Sequence, residues 1–168
     1  MKHTPTLIAF VLLSLICLSV NAQDKSWEGN GFVVTWKLST DQLEMTIETE
    51  TTGWVSVGFE PTRIMKDANI IIASVLPDGS VVAEDHYGTG TFSHKKDTDL
   101  GGTKNVTVTS GSESEGKTRI TFSIPLNSGD SKDVILTPGK KTKIILASSK
   151  ADSFTKKHNK KAKTEIEL

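Results

Sequence analysis

Apolar positions recur along this chain at the spacing of strands. Leu43, Met45 and Ile47 alternate with Glu44, Thr46 and Glu48, a period of two with one wet face. Phe32-Val33-Val34-Thr35-Trp36 and the group Trp54, Val55, Val57 and Phe59 are rich in branched and aromatic residues. Ile70-Ile71-Ile72-Ala73-Ser74-Val75 is a nearly unbroken apolar run, which predicts a strand covered on both faces. Pro77-Asp78-Gly79 predicts a turn, because proline presets φ and glycine accepts a positive one. Val81-Val82-Ala83 then returns as the second arm of a hairpin.

Further strands are predicted over 106–108, 119–124, 143–147 and 164–168, with the polar segment 110–116 as a link. Many short strands without a helical heptad predict an all-β fold, a sandwich of two antiparallel sheets. The longest stretch without strand signal is 87–103. Long irregular loops in compact domains often carry function, so this one is expected to. No repeat or linker interrupts the pattern, and one domain is expected over 23–168.

The first 22 residues read differently. Lys2 precedes an apolar stretch from Leu7 to Val20, broken by Ser14 and Ser19, and Val20-Asn21-Ala22 closes it. This predicts a signal peptide over 1–22, cleaved after Ala22, and a secreted or periplasmic mature protein. The run is shorter than the ~20 apolar residues that span a bilayer, and no second run follows, so the mature form is not expected to span a membrane.

Charge and cysteine content narrow the chemistry. Lys+Arg and Asp+Glu are both 20, without the basic excess of a nucleic-acid binder. The single cysteine, Cys17, lies in the leader. The expected mature chain is therefore no thiol enzyme, thioether-linked cytochrome, iron–sulfur protein or cysteine zinc site. No Gly-x-Ser-x-Gly elbow is present, and Gly88-Thr89-Gly90 is too short for a dinucleotide fingerprint. Asp97, Asp99, Gly101 and Gly102 lack the spacing of an EF-hand loop.

Few candidate ligands remain. Met45 is in phase with Leu43 and Ile47 and reads as core. Met65 lies in a loop between two strands. His158 lies in the basic run Lys156-Lys157-His158-Asn159-Lys160-Lys161, just before the final strand. His86 and His94 flank the start of the 87–103 stretch and read as residues that order it by hydrogen bonds.

Gly53-Trp54-Val55-Ser56-Val57-Gly58-Phe59, then Met65, then Ala68-Asn69-Ile70-Ile71-Ile72, resembles the signature of DOMON domains. Asp85-His86-Tyr87-Gly88-Thr89-Gly90, Ser93-His94, Asp97 and Leu100-Gly101-Gly102 resemble a bacterial-type branch. The resemblance implies an immunoglobulin-like β-sandwich, as in the cytochrome domain of cellobiose dehydrogenase and the regulatory domain of dopamine beta-hydroxylase. Some relatives bind b-type haem between a methionine and a histidine. By resemblance these are Met65 and His158, 93 residues apart, carried by two loops that would meet at one end of the sandwich. Trp54, Ile64, Ile70, Ile72 and Phe154 would line the haem slot. Arg63, with Lys66 and the lysines around His158, would pair with the propionates.

The implied protein is an exported haem b electron carrier, not an enzyme, with a separate protein as redox partner. Other family members are haem-free modules for a carbohydrate or another small ligand, for which Trp54, Tyr87 and Phe92 would offer stacking surfaces. Copper held by Met65 with His86 or His94 is the remaining alternative.

Overall fold

The computed structural model describes residues 24–168; the predicted signal peptide, Cys17 included, lies outside them. Eleven strands form two antiparallel sheets packed as a sandwich. They are β1 (Lys25–Gly29), β2 (Phe32–Leu38), β3 (Gln42–Glu50), β4 (Val55–Phe59), β5 (Asn69–Val75), β6 (Val81–Gly90), β7 (Ser93–Lys96), β8 (Thr107–Ser114), β9 (Lys117–Pro125), β10 (Lys141–Ser148) and β11 (Lys160–Glu167). One sheet runs β1-β2-β3-β9-β8 and the other β11-β10-β4-β5-β6-β7. Among the described residues the one helical element is a 3₁₀ turn over Asp97–Leu100. Among the described residues no helix is long and apolar enough to cross a membrane.

Alternation places the core. Phe32, Val34, Leu43, Met45, Phe122, Val57, Phe59, Ile144 and Leu146 point between the sheets and are 2% exposed or less. Met45 pairs across the strands with Trp36 and Phe122, which makes it packing and not chemistry.

Several strand boundaries differ from those expected. The segment 110–116 is not a link: β8 and β9 run into it, and Glu115-Gly116, both at positive φ, form the turn. Asn30-Gly31 makes the same kind of turn between β1 and β2, with φ of 51° and 74°. The stretch 87–103 is ordered as the end of β6, β7 and the 3₁₀ turn. Its strands carry few apolar residues because paired backbone and polar side chains hold them.

The six-stranded sheet departs from an ordinary sandwich. Its outer face should be wet, yet β4 and β5 are buried along their whole length. Ser56 faces outward from β4 at 8% exposure, and Ile70 and Ile72 from β5 at 5% and 2%. Loops fold back over that face and enclose a cleft.

Candidate functional site

The cleft floor is built from positions that alternate with the core. Ser56 and Gly58 come from β4, Ile70 and Ile72 from β5, and Ile145 and Ala147 from β10. A Cβ at Gly58 would come within 2.8 Å of the Ile145 side chain, so glycine keeps the floor low there. The cleft holds about 510 Å³, within the range of small-molecule and cofactor sites. A wider hollow of about 840 Å³ opens beside Lys25, Trp36, Lys37, Thr40 and Leu168, but neither histidine nor methionine lines it.

Two loops supply the ends of the cleft. The first, between β4 and β5, brings Ile64 and Met65. Ile64 takes φ 56°, an unusual conformation for a branched residue, and its side chain is 52% exposed at the rim. The loop is clamped to β6: the Asp67 N–H donates to Gly88 O at 2.8 Å and the Gly88 N–H donates to Ala68 O at 2.9 Å. The second loop, between β10 and β11, brings Lys157 and His158. It is held by the Trp54 N–H on Ala151 O (3.2 Å), the Ser149 N–H on Trp54 O (3.0 Å) and the Asn159 N–H on Ser148 O (2.9 Å).

These loops do not meet at one end of the sandwich, as the resemblance implied. Antiparallel β10 pairs Ser148 with Val55 and Ile144 with Phe59, so the loop after Phe59 and the loop after Ser148 leave from opposite ends of β4. The roots stand about 14 Å apart along the strand. Met65 and His158 nevertheless line the same cleft, because both loops turn inward over the outer face.

Of the other expected contacts, Trp54, Ile64, Ile70 and Ile72 line the cleft. Arg63 and Phe154 do not: Arg63 is exposed and bridges to Lys66 within its own turn, and Phe154 is half-buried outside the lining. Lys161, one of the lysines around His158, lines the cleft as expected. So do His94 and the exposed ring of Phe92, which the copper and small-ligand alternatives invoke, while Lys163 is a lining residue with no sequence signal of its own. Lys161 and Lys163 flank the buried Ala162 on β11, so alternation turns both onto the outer face.

His94 is the end of a relay. Its Nδ1 lies 2.8 Å from Nδ1 of buried His86, and His86 Nε2 lies 2.8 Å from Glu84 Oε2. Lys96 pairs with the other Glu84 oxygen at 2.5 Å. An ionised Glu84 only accepts, so His86 Nε2 donates to it. The two Nδ1 atoms share one proton, and where His94 Nδ1 carries it, His94 Nε2 keeps its lone pair.

Local charge favours ligand forms. Burial, then the His86 charge, pushes His94 below the usual histidine range. Burial, then Lys161 and Lys157, does the same for His158, so both imidazoles are neutral near pH 7. Burial raises Glu84, but hydrogen bonds from Lys96 and His86 outweigh it and leave its carboxyl below the ordinary value.

The cleft thus offers a thioether, two neutral imidazoles, an apolar floor and three lysines at one side. Trp54 adds a buried indole N–H without a partner. Thioether and imidazole suit haem iron or copper. The largely aliphatic floor suits a macrocycle, and the lysines suit its carboxylates.

A family model described as DOMON domain matches residues 28–149. No curated protein matches the chain.

Proposed function

The chain belongs to the DOMON domain family, and on that premise we propose that it is an exported haem b protein that carries single electrons. One observation carries the reading: Met65 and His158, far apart in sequence, line one apolar cleft of cofactor size. Met65 and His158 would hold the iron. Ile70, Ile72, Ile145 and Ala147 would lie against the macrocycle, and Lys157, Lys161 and Lys163 would neutralise its propionates. A six-coordinate haem with thioether and imidazole ligands exchanges one electron and offers no open position to substrate. The work of this chain is then to bind, to exclude water with Ile64 and Phe92, and to present the cleft rim to a separate redox protein.

Export rests on the leader. Intact mass of the extracytoplasmic protein should correspond to a chain beginning at Gln23. A form that retains Lys2 to Ala22 would remove cleavage from the reading.

The spectrum of protein purified from haem-replete cells tests the cofactor. Sharp visible bands of low-spin haem are expected in the reduced form. His94→Ala is expected to keep those bands, because His94 faces the cleft as the end of the relay and not as the iron ligand. It should cost about 1–3 kcal/mol of stability, since His86 Nδ1 is left buried without its partner. Loss of the bands in His94→Ala, with His158→Ala unaffected, would make His94 the ligand. A colourless protein that takes up no added haem would leave the haem-free small-ligand module.

A further inference from the structure

Away from the cleft, carboxylates from separate segments converge at the end of the core. Asp85 points inward from β6, paired across to Ile71. Asp97 begins the 3₁₀ turn, and Asp133 lies in the connection between β9 and β10. One oxygen of each lies within 4.8 Å of the others.

Two of these three acids lack ordinary partners. Asp97 is 0% exposed, and neither of its oxygens accepts a hydrogen bond. Asp85 Oδ2 accepts from the Asn105 N–H at 2.9 Å, but its buried Oδ1 has no partner. Among the described residues no lysine or arginine forms an ion pair with any of the three. The nearby Lys132 amine sits over the Tyr87 ring, 5.4 Å from its centre. Burial pushes Asp85 and Asp97 up to about 7, and Asp133 adds to both through its charge.

Asn69 supplies an independent sign. It is 4% exposed, and its Nδ2 donates to Asp133 Oδ1 at 2.8 Å. The oxygen of the same amide is buried and unpartnered. Asp130 lies outside the group, its oxygens already taken by the Thr103 N–H, the Thr103 hydroxyl and the Lys132 N–H.

We infer that Asp85, Asp97 and Asp133, with the Asn69 side-chain oxygen, form a site for a calcium-like divalent cation that clasps the end of the sandwich. The donors are all hard oxygens, which calcium prefers and soft metals do not. Oxygens at 2.3–2.6 Å from one calcium spread to about 5 Å from one another, which the cluster meets. The cation would tie β5 and β6 to the 3₁₀ turn and to the β9–β10 connection. No cysteine among residues 24–168 can make such a tie by disulfide.

Calcium titration of chelator-treated protein, followed by calorimetry and thermal melting, tests this. A single site with a dissociation constant of about 10⁻⁴–10⁻³ M is expected. The melting temperature should rise by about 5 °C in ~10 mM calcium. Asp97→Asn and Asp133→Asn should each weaken binding at least about tenfold, while Asp99→Asn, at an exposed neighbour, should not. If Asp97→Asn does not fold, the half-buried Asp133 and the wild-type titration decide. Wild-type protein with neither binding heat nor a melting shift overturns the site, as does a response that survives the Asp133 substitution. The cluster would then be held by a proton shared between Asp97 and Asp133.

Discussion

His158→Ala is expected to strip the protein of haem, while Met65→Ala keeps the cofactor and changes its spin. The asymmetry follows from ligand strength. Imidazole is the stronger ligand, and no thioether bond can tether the ring because the chain has no cysteine beyond Cys17. Loss of an outer-shell partner already costs about 10–100-fold in metal affinity. Loss of the imidazole itself should therefore exceed about 100-fold, read as haem retention during gel filtration. Met65→Ala should open one position, turn the spectrum high-spin or mixed, and lower the reduction potential, because the thioether favours ferrous iron. Met45→Leu is the control. Met45 is fully buried in the core, away from the cleft, so the swap should leave the spectrum alone and cost less than about 1.5 kcal/mol. Low-spin spectra in both Met65→Ala and His158→Ala would sink this ligand pair and redirect attention to His94.

The core was legible because burial leaves a period. Met45 could be assigned inward from Leu43 and Ile47 alone, and the double burial of β5 from its unbroken isoleucines. That second signal also marked the cleft floor, since an apolar outer face needs a cover. The strands that resisted reading are those held by something other than apolar contact. β7 is Ser-His-Lys-Lys, kept in place by the His86–His94 contact and the Glu84–Lys96 pair. β1 was missed although Asn30-Gly31 is a strong hairpin signal, because its own residues are mostly polar and exposed.

Directions within loops were less legible than their proximity. Ile64, Met65 and Arg63 are neighbours in one turn, yet the first two line the cleft and Arg63 does not. Sequence adjacency carries no information about which way a turn side chain points. The same limit hid the acidic cluster. Asp97 and Asp99 do not make a local calcium loop; Asp97 meets Asp85 and Asp133, which other elements of the fold carry. Such a site has no spacing to recognise. It appears only once the strands are registered and the unpartnered oxygens are visible.

Two glycines should control the candidate ligands one at a time, and this gives the largest expected effect outside the ligands themselves. A Cβ at Gly88 would collide with the Met65 carbonyl, in the loop that Gly88 clamps by two backbone hydrogen bonds. A Cβ at Gly53 would come within 2.6 Å of the Ala151 backbone, at the root of the loop that carries His158. Each collision is with backbone, which cannot swing aside as a side chain can, so either alanine should cost about 2–3 kcal/mol, the upper end of overpacking. The consequences for the cofactor should differ. Gly88→Ala should displace Met65 and give the mixed-spin, lower-potential protein expected of Met65→Ala, with haem retained by His158. Gly53→Ala should shift the His158 loop and lower haem retention, with Met65 undisturbed. Gly90→Ala is the matched control, because its Cβ would meet only the Ser93 hydroxyl, the end of a mobile side chain. Thermal melting of the haem-free proteins separates the packing cost from the cofactor effect. Identical spectra in Gly88→Ala and Gly53→Ala, with both proteins folded, would mean that the two loops do not position separate ligands.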